Sequence, residues 1–133
     1  MSNEWIEFND DHSYADKYHP RVSLDPRRHF RLNAKAVDLL GGPTAVRFLF
    51  DASRNRIGIR AEPPDTPRSF RLIPSKTGTS SLVRGFSFCH RFGIKPEYNL
   101  AFQGVHLDAD GTMILDLTTA TRKTSRTYSR VSS

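Results

Sequence analysis

One short unit is spelled twice along this chain, and that doubling limits the folds open to it. The first copy sets His29-Phe30-Arg31-Leu32 in extended alternation, then Asn33-Ala34-Lys35-Ala36-Val37-Asp38-Leu39-Leu40 as a short helix stopped by Gly41, then two alternating apolar runs up to Arg60. The second sets Ser81-Leu82-Val83-Arg84, then Gly85-Phe86-Ser87-Phe88-Cys89-His90-Arg91-Phe92 stopped by Gly93, then two more runs ending near Leu117. An offset of 52 residues brings Phe30 onto Leu82, Ala34 onto Phe86, Val37 onto Cys89, Leu40 onto Phe92 and Gly41 onto Gly93. Units this small leave an apolar face that only the other copy can cover. The expected fold is therefore α+β and strand-rich: two pseudo-repeated strand–short helix–hairpin units packed as a small β-barrel-like domain.

Local signals fill in each unit. Arg21-Val22-Ser23-Leu24-Asp25 alternates as a first strand, and Asp25-Pro26-Arg27-Arg28 has turn chemistry. Asn33 is a good N-cap, and Val37 with Leu40, flanked by Ala36 and Leu39, gives the helix its apolar face. Gly41-Gly42-Pro43 ends it. Val46, Phe48 and Phe50 alternate with Arg47, and Ile57 and Ile59 with Gly58 and Arg60, which predicts a hairpin across residues 51–55. In the second unit Tyr98, Leu100 and Phe102 form one run and Met113, Leu115 and Leu117 the return. His106-Leu107-Asp108-Ala109-Asp110-Gly111 is the expected turn between them. The resulting division is an acidic N-terminal arm at 1–20, a first unit at 21–61, a proline-rich connector at 62–69, a second unit at 70–117 and a disordered basic tail at 118–133.

With 133 residues, one compact domain is the default. No apolar run is long enough to span a bilayer. Residues 1–16 are acidic, with Trp5, Ile6 and Phe8 as their main apolar groups, which does not read as a secretion signal. The lone Cys89 excludes an internal disulfide and a cysteine-built metal site, so a cytoplasmic location is expected. Charge is spread unevenly. Residues 1–20 hold five acids and one lysine, whereas residues 21–133 hold nineteen Lys/Arg and nine acids. Arginine's planar fork suits phosphates and guanine edges, although a basic surface is as often simply solvated.

No catalytic set assembles, and no cofactor is implied. His12, His19, His29, His90 and His106 lack the spacing of a helical metal pair. Cys89 beside His90 falls on an inward helix face, where an inert thiol is the expectation. Asp108-Ala109-Asp110-Gly111 opens like a calcium loop without the later ligands, and Lys76-Thr77-Gly78-Thr79 is only a fragment of a phosphate loop. An enzyme is thus not expected. Two basic clusters are the better candidates: Arg27, Arg28, Arg31 and Lys35 around the first helix, and Arg68, Arg71, Lys76 and Arg84 in the analogous place before the second. Related by pseudo-symmetry, they could contact phosphates on successive turns of a duplex. Phe48, Phe50, Phe86, Phe88, Phe92 and Phe102 fall mostly on apolar stripes and are expected in the core.

The stretch from Phe30-Arg31-Leu32-Asn33 to Ile59-Arg60 resembles the swapped-hairpin family typified by AbrB, SpoVT and the MazE-type antitoxins, and the tandem arrangement over residues 21–117 is similar to MraZ. Asn33 stands where those units carry proline. The resemblance implies two intertwined halves that bind DNA through basic residues of the first strands and the loop before the helix, here Arg28, Arg31, Lys35 and Arg84. The leading expectation is accordingly a DNA-binding protein of transcription-regulator type, dimeric or not, acting on double-stranded DNA. The alternative is a protein-interaction module, antitoxin-like or an accessory factor of a phage or mobile element, that docks an acidic partner protein.

Overall fold

A computed structural model describes residues 19–123. Its elements run β1 (Val22–Leu24), β2 (His29–Asn33), α1 (Ala34–Leu39), β3 (Ala45–Asp51), β4 (Arg56–Glu62), β5 (Phe70–Arg71), β6 (Ile73–Pro74), β7 (Ser80–Arg84), α2 (Phe86–Arg91), β8 (Leu100–Ala101), β9 (His106–Leu107), β10 (Met113–Asp116) and β11 (Thr121–Arg122). They form two antiparallel sheets. Sheet I has the order β11-β8-β1-β2-β7-β6, and sheet II the order β5-β3-β4-β10-β9. Both sheets end in free edge strands, so the fold is a pair of open sheets with two small helices and not the closed, barrel-like domain expected.

Period-two alternation decides which way each strand faces. In sheet I, Val22, Leu24, Phe30, Leu32 and Val83 turn inward and are buried. In sheet II, Val46, Ile57, Ile59, Met113 and Leu115 do the same. The inner faces meet in one core: the rings of Phe30 on β2 and Phe48 on β3 lie 4.7 Å apart, and Phe48 also stacks on Phe88 of α2 at 4.9 Å. From α1, Ala36 and Leu40 enter the same core, whereas Val37 and Leu39 are only partly buried against it.

The two helices are built alike. Each has six residues, and 52 positions separate their starts. Each ends with the two hydrogen bonds of a Schellman cap: Gly42 to Val37 and Gly41 to Asp38 after α1, Ile94 to Cys89 and Gly93 to His90 after α2. The glycines at the turning position, Gly41 and Gly93, have φ of +90° and +68°, a conformation that penalises other residues. The N-termini differ. The Asn33 side chain accepts from the backbone N–H of Ala36 and of Arg21, each at 2.9 Å, and donates to the carbonyl of His19 at 2.8 Å. Gly85 caps α2 without a side chain, and a Cβ there would lie 2.6 Å from the buried Phe30 ring.

Gly85 also shifts the register of the second strand. The helices match at 52 residues, but β7 (80–84) follows β2 (29–33) by one fewer, so Leu82 is not the inward counterpart of Phe30. Leu82 sits directly opposite Arg31 and Ile73 and shares their outward face, while Val83 turns in. A one-residue slip reverses every side chain of a strand.

Beyond the helices the two copies part. After α1 the chain forms the expected hairpin, with Phe48 opposite Ile59 and Phe50 opposite Ile57. After α2 the expected hairpin of two long runs does not form. Leu100 and Ala101 join sheet I beside β1, whereas β10 pairs with β4 in sheet II and with the short β9. The turn between β9 and β10 is tied by Asp108, whose Oδ1 accepts from the backbone N–H of Asp110 and Thr112. Part of the presumed tail is ordered: β11 pairs with β8, and the Lys123 N–H donates to the carbonyl of Asn99 at 2.7 Å. The acidic arm up to residue 18 and the basic tail from residue 124 lie outside the described residues.

Candidate nucleic-acid interface

The eight basic residues singled out from the sequence do not form two matched clusters. The fold regroups them. Strands β2 and β7 are antiparallel neighbours, with His29 opposite Arg84 and Arg31 opposite Leu82. Arg31 and Arg84, one from each presumed cluster, therefore stand diagonally adjacent on the outer face of sheet I, within reach for long side chains. Both are exposed. Arg84 also lines an open groove of about 640 Å³ with Ser69, Phe70, Arg71, Leu72, Ile73 and Pro74, which brings Arg71 to the same region. Among the described residues no carboxylate pairs with the side chains of Arg31, Arg71 or Arg84.

The remaining candidates go elsewhere. Arg27 is exposed in the β1–β2 turn, where Asp25 Oδ1 accepts the backbone N–H groups of Arg27 and His29 at 2.9 Å each. Arg28 occupies the last turn position with φ of +65°. Its Nε donates to the Ile94 carbonyl at 3.4 Å and its guanidinium lies 5.1 Å from the Phe86 ring centre, so it fastens the turn to α2. Lys35 is half-buried on α1. Lys76 is exposed in the β6–β7 turn, whose Thr79 carbonyl accepts from the N–H of Ala34 at 3.1 Å. Arg68 is exposed in the connector with φ of +67°.

Arg71 itself belongs to β5 of sheet II, opposite Ala45; three other arginines on the outer face of that sheet have partners. Arg47 Nε meets Glu62 at 2.8 Å, Arg56 Nη2 meets Asp51 at 3.1 Å, and Arg60 donates through Nε and Nη2 to the Thr112 hydroxyl at 3.0 and 2.9 Å. The Nε of Arg56 is buried without a partner among the described residues. Three aspartates at this face are held below the ordinary carboxylate value: Asp51 by the Ser53 hydroxyl and then Arg56, Asp108 by the N–H of Thr112, Asp116 by the hydroxyl and N–H of Thr118.

Sequence reasoning missed two things here. Phe86 and Phe92, assigned to the core, are 50% and 46% exposed. Arg28 is drawn off the basic surface by the ring of Phe86, which the alternation of polar and apolar residues does not signal. Cys89 is fully buried, and burial pushes its thiol up to about 12 against a smaller opposing pull from Arg28. Such a thiol is a poor nucleophile. Among the described residues no three His, Cys, Asp or Glu side chains gather as metal ligands would, and no helix is long and apolar enough to cross a membrane. No family model, curated protein or solved structure matches this chain.

Proposed function

We propose that this protein binds duplex DNA, as a transcription regulator does, through the outer face of sheet I. The observation that supports this reading is the meeting of Arg31 and Arg84 on neighbouring strands of sheet I, with Arg71 of the adjoining β5 in sheet II lining the groove beside Arg84 and, among the described residues, no carboxylate paired with any of the three. Unpaired guanidinium groups on one side of a sheet stabilise a polyanion that lies along it, and their forks can also reach guanine edges. Residues 19–123 hold seventeen Lys/Arg against nine acids, an excess that raises the encounter rate with nucleic acid.

The equal length of α1 and α2, their shared cap and the antiparallel pairing of β2 with β7 support treating residues 29–41 and 80–93 as equivalent halves. On that view the halves sit about a local two-fold axis between Arg31 and Leu82, which makes Arg84 equivalent to Asn33, so the two arginines reach the duplex from non-equivalent positions. The two-fold arrangement is the one that the swapped-hairpin resemblance implies. The split strands after α2 depart from it. A homodimer would present the surface twice.

Anisotropy titration of a labelled random-sequence duplex tests the reading. Affinity should fall steeply between roughly 50 and 200 mM salt, as counterion release requires. A flat response contradicts phosphate binding. If poly-glutamate binds as tightly as duplex, the surface docks acidic polypeptides, and the partner-protein reading replaces this one.

A further inference from the structure

Helix α2 turns two phenyl rings outward, Phe86 and Phe92, and a guanidinium lies over each: Arg28 at 5.1 Å from the Phe86 ring centre and Arg91 at 5.8 Å from that of Phe92. The His90 ring stacks on Phe86, with centres 5.5 Å apart and planes 13° from parallel. These groups are braced. Phe50 and Phe88 back Phe92 at 4.9 and 5.3 Å, and Arg28 is held by the Ile94 carbonyl. Residues 84–96 contain no aspartate or glutamate, and Lys95 adds another exposed cation. Exposed rings and positive charge thus recur along α2 and the turn that follows it.

We propose that this α2 surface is a stacking platform for the unpaired bases of single-stranded nucleic acid. Exposed rings stack on bases whatever their identity, and neighbouring cations hold the phosphates between them. Charge complementarity selects this occupant. A chain in which anionic groups alternate with flat rings satisfies both features at once, whereas an acidic peptide satisfies the cations alone. The proposal goes beyond duplex binding, because paired bases keep their faces stacked inside the helix and out of reach of these rings.

The test is anisotropy titration of the full chain with a labelled oligothymidylate of about 12 nucleotides, a length within the usual site size. Binding is expected, and Phe86→Ala and Phe92→Ala should each weaken it by about tenfold. Phe92→Leu keeps apolar bulk against Phe50 and Phe88, Phe86→Leu keeps it beside His90, and both should still weaken binding, which separates stacking from misfolding. A strand of the same length without bases should bind far more weakly. Duplex affinity should not change in these variants, so loss of this site and loss of the sheet I site give different results. Absence of oligothymidylate binding, equal binding of the baseless strand, or unchanged affinity in the folded leucine variants would overturn the proposal.

Discussion

The outer faces of the two sheets both carry arginines and use them differently. On sheet II, Arg47 and Arg56 pair with Glu62 and Asp51, and Arg60 is held by the Thr112 hydroxyl, so two of these three charges are neutralised within the fold. On sheet I, Arg31 and Arg84 stand without a carboxylate among the described residues, and Asp25 at the end of β1 is engaged by the backbone N–H groups of Arg27 and His29. Counting arginines does not separate these faces; the cross-strand partners do. A guanidinium with a carboxylate directly across, as Arg56 has in Asp51, or diagonally across, as Arg47 has in Glu62, is satisfied within the fold, whereas one opposite leucine or histidine has charge left for something outside it.

The largest expected effect comes from removing the free pair. Arg31→Ala with Arg84→Ala should weaken duplex binding on the order of a hundredfold near 0.1 M salt, about tenfold for each lost phosphate contact. Arg47→Ala with Arg60→Ala should change binding little and instead lower stability in urea.

Close packing under each sheet gives the next effect. Gly85→Ala would drive a methyl into the buried Phe30 ring and should cost about 1–3 kcal/mol by urea denaturation. Gly58→Ala meets the methyl of Thr112 at 2.7 Å, a buried, branched side chain whose hydroxyl is held by Arg60, so it should cost a similar amount. Smaller is Asn33→Ala, about 1 kcal/mol for the lost cap of α1. Asn33→Asp keeps the acceptor and should restore most of it.

Acid should separate the sheets without any mutation. Asp51, Asp108 and Asp116 are lowered from an ordinary value of 3.8, so the unfolded chain takes up protons first as pH falls. Their contribution is complete above that value and is lost as pH drops through it and below. Residue-resolved hydrogen exchange below about pH 4 should show β4 and β10 losing protection before β2 and β7. Simultaneous loss would remove the distinction drawn here.

Much of the architecture was legible in the residues. The N-cap at Asn33, the glycine stops after both helices and the β3–β4 hairpin all rest on short-range chemistry, and the fold keeps them. What could not be read is long-range. Nothing local tells Leu100 and Ala101 to leave their neighbours for β1, since their partners lie far away in sequence. The outward turn of Leu82 follows from the single added residue Gly85, which an alignment by pattern absorbs. The candidate site was half legible. Arg31 and Arg84 were named, but in separate clusters, because their adjacency is created by the β2–β7 pairing. Arg28 was assigned to the surface although Phe86 holds it aside. The exposure of Phe86 and Phe92 was hidden because aromatic residues on a short helix read as core.

The contrast between the sheets is tested most directly by the salt dependence of duplex binding in paired variants. Log affinity plotted against log salt should lose about two units of slope in Arg31→Ala/Arg84→Ala and none in Arg47→Ala/Arg60→Ala. Equal slopes in the two double variants, or a wild-type slope in the first, would contradict the assignment of sheet I as the phosphate-facing surface.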